Sequence, residues 1–410
     1  MSGTDRAGFS LTRLARIDRV LKEKYVDTGA LPGTLTQVWR RGELVHNGMN
    51  GVIDIERRKP MREDAIFRIY SMTKPIVAVA IMMLVEEGRI GLADDVATWI
   101  PAWKNLGVYA GGGRGSFQTT PLKRPMRVID LATHTAGFTY RSKLRSPVEA
   151  AYAEVGIAGM QTEGGLEGMM AQLAELPLLF SPGDAWNYSI AIDVLGYIVQ
   201  KASGQTLGEF LRKRIFEPLG MVDTAFWCPP EKLDRFASCY AGKADGPIAL
   251  YDDSQASMYA APPKLESGGG GLVGTAADYM RFCRMMLNRG SLDGAQILSP
   301  KSVALFSVNY LPGSREMTDM SIASGFDEAG YAGIGFSLAC GVNVNVAKTR
   351  LPGTLGEFFW GGAAATAFWI DPKEDLAVVF MTQVRESAER IGLRRTLRTL
   401  VYSAFTESFA

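Results

Sequence analysis

Histidine is almost missing from this 410-residue chain, which holds only His46 and His134. Histidine-rich metal sites are thereby excluded, and a Ser-His-Asp hydrolase would depend on His134. The Gly-x-Ser-x-Gly pentapeptide of such hydrolases is absent as well. Cysteine is sparse: Cys228, Cys239, Cys283 and Cys340 sit at wide, irregular intervals that fit neither a zinc site nor a disulfide scaffold, so they read as buried thiols. An excess of either charge is lacking too. With 44 Lys and Arg against 43 Asp and Glu, the formal charge is +1, and no long-range field gathers nucleic acid or anionic lipid. The longest apolar run, Ile76 to Val85, falls short of the roughly 18 residues of a membrane span. The N-terminus has no basic start followed by an apolar block, so cytoplasmic residence is expected. No cofactor, metal, nucleic-acid or membrane partner is anticipated. What remains is ordinary globular material, 47% hydrophobic and 21% charged, that recognises a small molecule by shape.

Periodicity organises the chain. Leu11, Leu14, Ile17, Val20 and Leu21 predict an amphipathic helix within residues 10–28. Thr34 to Arg40 and Glu43 to His46 flank the Arg41-Gly42 turn and predict a hairpin. Ser71 to Glu87 predicts a helix buried on most sides, ended by Gly88. Helices are predicted at 148–155, 169–174, 191–202 and 207–216, with 109–123 as a long glycine-rich loop that lacks the Lys-Ser pair of a nucleotide cradle. Gly268 to Gly271 forms a tight turn, and Thr275 to Asp278 resembles a capping box opening a helix to Asn288. Beyond it, 333–346, 357–370 and 376–383 read as strands, and 386–405 as a closing helix. Strands at both ends with helices between them predict an α/β (α+β) architecture. Residues 1–90 and 300–410 build an antiparallel sheet domain flanked by helices, and 91–299 form an inserted, mostly helical domain, with the active site between them.

Three segments carry chemistry. Ser71-Met72-Thr73-Lys74 is the one Ser-x-x-Lys of the sequence, and Pro75 places it in the first turn of a helix, where a missing N–H is tolerated. At spacing i, i+3 the hydroxyl and amine share one face, and the helix dipole favours charge growing on an attacked carbonyl. Tyr188, in a turn before the next helix, is a proton acceptor if a neighbouring lysine cation holds it as phenolate. Trp360-Gly361-Gly362-Ala363 puts paired glycines in a strand, as close approach to the backbone requires. The N–H groups of Ser71 and Ala363 are the candidate oxyanion donors.

The order Ser-x-x-Lys, Tyr-Ser, Trp-Gly-Gly resembles the serine β-lactamase superfamily, and within it the class C-like carboxylesterases called family VIII. Asp130 to Gly137, Glu217 to Met221 and Gly269 to Leu272 resemble further family landmarks, so the likeness spans nearly the whole chain. It implies a β-lactamase/penicillin-binding-protein-like fold, Ser71 as acylated nucleophile, Lys74 as its proton partner and Tyr188 as general base. Ile190 stands where the lactamases carry Asn, and Trp360 where they carry Lys. Both departures favour a neutral ester over a β-lactam. Tyr140, Trp186 and Trp360 are expected to line an acyl pocket, with Gly361, Gly362 and Ile190 also at the substrate, and His134 is expected to pack. The expected activity is hydrolysis of short-chain carboxylic esters. Acyl transfer, D-amino-acid peptidase or weak β-lactamase activity on the same site, and an inactive binding module, are the alternatives.

Overall fold

Two stretches from opposite ends of the chain meet in the middle of one sheet. Strand Leu376–Met381 pairs antiparallel with Gly33–Arg40, placing Val378 opposite Val38. The computed structural model describes residues 5–141, 145–242, 247–322, 328–387 and 389–409. Its sheet has eight strands in the order Ile334–Phe336, Gly341–Asn343, Phe358–Gly361, Ala367–Asp371, Leu376–Met381, Gly33–Arg40, Glu43–Asp54 and Lys59–Pro60, each antiparallel to its neighbour. All six residues of Leu376–Met381 are buried. Alternation divides them: Ala377, Val379 and Met381 join one apolar core, while Leu376, Val378 and Phe380 join another. Helices therefore cover both faces of the sheet. The terminal helices contribute Ile17, Leu21, Leu393, Leu397 and Val401 to one side, and the central helices contribute Ile76, Val194 and Tyr279 to the other.

The helix Thr73–Glu86 is buried along nearly its whole length, which explains why its apolar pattern has no polar stripe. It packs in the same core as helix Ala191–Ser203, whose residues Ala191 to Val199 are buried without interruption. Helix Ala276–Leu287 lies on the sheet, with the Tyr279 ring 5.1 Å from that of Phe368. All four cysteines are free and buried. No helix of the described residues is long and apolar enough to cross a membrane. Residues 1–4, where the reading of the N-terminal leader begins, and Ala388 in the expected closing helix lie outside the described residues.

Several elements differ from expectation. The stretch 109–123 is not a loop, because Gly107–Gly111 and Gln118–Pro121 form a hairpin whose glycines absorb a register shift between Tyr109 and Gly111. Segments 333–346 and 357–370 each contain two strands and a reversal, since continuous apolar character conceals a turn buried among its neighbours. The first helix breaks into Leu11–Leu14, Arg16–Leu21 and a wider turn, Lys22–Val26. At Thr275 the hydroxyl caps the Asp278 N–H, but Asp278 turns away to accept from the Asp223 N–H and the Thr224 hydroxyl.

The chain ends are locked by one buried cation. Arg40 lies 2.6 Å from Glu374, donates to the Gly8 and Glu407 carbonyls, and stacks 3.8 Å from the Phe405 ring centroid. Glu374→Ala strands that guanidinium without its counter-charge, at a cost of about 3–5 kcal/mol. Urea unfolding should therefore show a clearly lowered midpoint, and an unchanged midpoint would show that Arg40 is compensated by the carbonyls alone.

Candidate active site

Ser71 stands where a short strand gives way to a buried helix. Phe67–Arg68 pairs with Val273–Gly274, the Ile69 N–H donates to the Leu272 carbonyl, and the turn Tyr70–Met72 leads directly into Thr73–Glu86. Tyr70 has φ of +43°, a left-handed conformation that is costly for a side chain of this size and holds only where neighbours enforce it. The Tyr279 hydroxyl fixes the turn from below by donating to the Met72 carbonyl at 2.9 Å.

Lys74 is fully buried, and one helical turn brings it back to Ser71. Its Nζ donates to Ser71 Oγ at 3.1 Å, to Tyr140 Oη at 3.1 Å and to the Gly269 carbonyl. Three acceptors match the three N–H bonds of an ammonium. Behind the Gly269 carbonyl sits a buried carboxylate, Asp193, 1% exposed, which accepts from the Ser267 hydroxyl and from the Gly269 N–H through Oδ1. Its Oδ2 has no hydrogen-bond partner among the described residues. Burial pushes this carboxyl up, against the opposing pull of the Ser267 hydroxyl and Lys74. A Cβ on Gly269 would lie 2.3 Å from Asp193 Oδ2. The glycine turn thus serves the close packing of chain on chain.

Tyr188 faces the same centre. Lys74 Nζ lies 4.7 Å from its ring centroid, and its hydroxyl accepts from the Trp360 indole N–H at 3.1 Å. His134, fully buried, packs its ring 4.7 Å from that of Tyr188 and reaches Ser189 Oγ at 3.2 Å through Nδ1. Burial and the Lys74 charge hold its imidazole well below the usual range. Two cavities meet at Ser71, of about 470 and 380 Å³, and Ser71, Tyr188 and Ala363 line both. Trp360, Gly361 and Gly362 line the larger, and Tyr140 the smaller.

Two expected pocket residues lie elsewhere. Trp186 is buried behind Tyr188, stacked at 6.1 Å between ring centroids, and Ile190 is buried at the N-terminus of helix Ala191–Ser203. Neither lines the two cavities at Ser71. Both are apolar residues beside a polar centre, and the core claims them. The paired glycines have a second use beyond a passing substrate. A Cβ on Gly361 would lie 2.3 Å from Arg394 Nη2, and one on Gly362 would lie 2.3 Å from Thr366 Oγ1 and 2.6 Å from the Ile69 carbonyl. Arg394 donates to the Gly362 and Thr366 carbonyls at 3.0 and 2.6 Å, and burial lowers its guanidinium to about 10.

Sequence reasoning missed Asp193 and Arg394, and it placed Tyr140 in a pocket without its bond to Lys74. Asp193 had a signal, as an isolated acid in the apolar run Ile190 to Val199. Arg394 had none, because its partners are carbonyls.

Among known proteins, the sequence profile of the family described as Beta-lactamase matches residues 18–402. Protein Rv1367c of Mycobacterium tuberculosis is 37% identical over 361 residues, covering 87% of this chain and 87% of that protein. Esterase EstB of Burkholderia gladioli is 30% identical over 424 residues, covering 97% of this chain and 98% of that protein. The solved structure of EstCE1, described as a hydrolase with promiscuous acyltransferase activity, matches with a TM-score of 0.77 at 26% identity, over 96% of this chain and 99% of its own. The fold class expected from the sequence, an antiparallel sheet flanked by helices, is the one found.

Gly362→Ala tests how tightly the strand end is packed against the Ser71 turn. The added methyl displaces the Ile69 carbonyl or the Thr366 turn, and with it the Ala363 N–H. The melting temperature should fall, reflecting the roughly 1–3 kcal/mol that overpacking costs. A wild-type melting temperature would show that the turn yields without strain.

Proposed function

The chain belongs to the Beta-lactamase family, and within it we propose a carboxylesterase of the family VIII type that cleaves small, neutral carboxylic esters through an acyl-enzyme on Ser71. One observation carries this reading: the Lys74 amine lies 3.1 Å from the Ser71 hydroxyl at the junction of two cavities, with Tyr188 and Ala363 on the walls of both. The likeness to an esterase at 30% identity over nearly the whole chain supports it. So does Trp360, whose indole occupies the strand position where a lysine would attract a substrate carboxylate.

In the proposed reaction Tyr188, as general base, takes the Ser71 proton while Ser71 Oγ attacks the ester carbonyl. The Ser71 and Ala363 N–H groups hold the oxyanion, at the N-terminal end of a helix whose dipole favours negative charge. Lys74 anchors Ser71 and supplies positive charge beside Tyr188. Collapse of the tetrahedral intermediate breaks the ester C–O bond and expels the alkoxide. Water then attacks the acyl carbon, its proton balancing the one the alkoxide gains, and Tyr188 returns its proton to Ser71 as the acid is released. Acyl transfer differs only in the second nucleophile, an alcohol in place of water. The description of EstCE1, a hydrolase that also transfers acyl groups, favours this as a secondary activity.

A short-chain aryl ester, a chromogenic cephalosporin and a D-alanyl amide assayed side by side test the substrate class. Turnover should be highest on the ester, and preference for either of the others would overturn the assignment. Ser71→Ala should abolish labelling by a serine-directed phosphonate, and persistent label would eliminate Ser71 as nucleophile. Tyr188→Phe should reduce kcat/KM by roughly 10²–10⁴, the usual contribution of a general base. Unchanged turnover would assign Tyr188 to packing alone.

A further inference from the structure

Two phenols flank Lys74, and their surroundings differ. The Tyr188 oxygen receives the Trp360 indole N–H at 3.1 Å. Tyr140 Oη instead accepts from Lys74 Nζ at 3.1 Å, so its own proton points to another acceptor. Burial, followed by the neighbouring Tyr188 and Asp193, pushes the Tyr140 phenol well above its ordinary value and keeps it protonated. Like groups in unlike environments separate acid from base within one site. Tyr140 also lines the smaller cavity together with Ser71, Tyr188 and Ala363. It therefore joins a proton source, Lys74, to the smaller cavity beside Ser71.

We propose that Tyr140 is the general acid that protonates the departing alkoxide during acylation, replenished by Lys74. The assignment rests on the reading of Ser71 as nucleophile. When the ester C–O bond breaks, its electron pair leaves on the alcohol oxygen, which takes the Tyr140 phenolic proton. An ammonium proton of Lys74 passes to the Tyr140 oxygen and leaves an amine. The Ser71 proton is by then on Tyr188. In deacylation, water gives its proton through Tyr140 to Lys74 as its oxygen joins the acyl carbon, and Ser71 leaves with the proton held by Tyr188. Every group returns to its starting state, and the net reaction is ester plus water to acid plus alcohol.

Leaving-group dependence separates this role from a structural one. A nitrophenolate departs without a proton at neutral pH, whereas an ethoxide requires one. Wild type and Tyr140→Phe are compared by kcat/KM on the ethyl and nitrophenyl esters of one short-chain acid. The expected loss on the ethyl ester is about 10²-fold, at the lower end for a general acid, and at least about tenfold greater than the loss on the nitrophenyl ester. If Tyr140→Phe does not fold, 3-fluorotyrosine at position 140 takes its place, and a more acidic phenol should shift the pH profile for the ethyl ester alone. Equal losses on both esters, or a profile that stays fixed, would overturn the role of Tyr140. A wild-type chain inactive on both esters would overturn the hydrolase reading and this inference with it.

Discussion

The candidate site is organised around a buried ammonium. Removing Lys74 from water costs several kcal/mol unless its donors and its charge are both compensated. Ser71, Tyr140 and Gly269 answer the three N–H bonds, and they come from three distant parts of the chain. Asp193, which ties down the Gly269 turn from a fourth segment, supplies opposite charge nearby. Closing the fold around Lys74 therefore brings these segments into one place, and displacing any of them leaves a buried polar group without its partner.

Glycine is what permits the closeness. At Gly269 the missing side chain is the space that Asp193 occupies, and at Gly361 and Gly362 it is the space of Arg394, Thr366 and the Ile69 carbonyl. The Trp360 strand is thus pinned from one side by the last helix and pressed from the other against the backbone preceding Ser71. Tyr70, with its left-handed φ, sits at that contact. Strain and tight packing meet at the residue next to Ser71, where a fixed orientation of its hydroxyl is most useful.

The sheet supplies the rigidity behind this arrangement. Its middle strands are buried on both faces, by terminal helices on one side and central helices on the other. Trp360 projects from it towards Tyr188, so the indole N–H that meets the phenol is carried on a strand and not on a loop. Trp360 closes one wall of the larger cavity with an aromatic ring, and Tyr188 gains a fixed donor.

Much of this was legible in the amino-acid order alone. Ser71 and Lys74 are three residues apart, and helical geometry by itself puts them on one face. Pro75 marks the helix start, and period-two alternation marks the strands, because these signals depend only on neighbours along the chain. Reversals inside 333–346 and 357–370 escaped notice, since a buried turn is as apolar as the strands it joins. Trp186 and Ile190 were assigned to a pocket that tertiary packing turned into core. The bond between Tyr140 and Lys74, the carboxylate of Asp193 behind them and the grip of Arg394 on the Trp360 strand were decided only in three dimensions. Each pairs residues far apart in the chain, and no local preference encodes the distance between them.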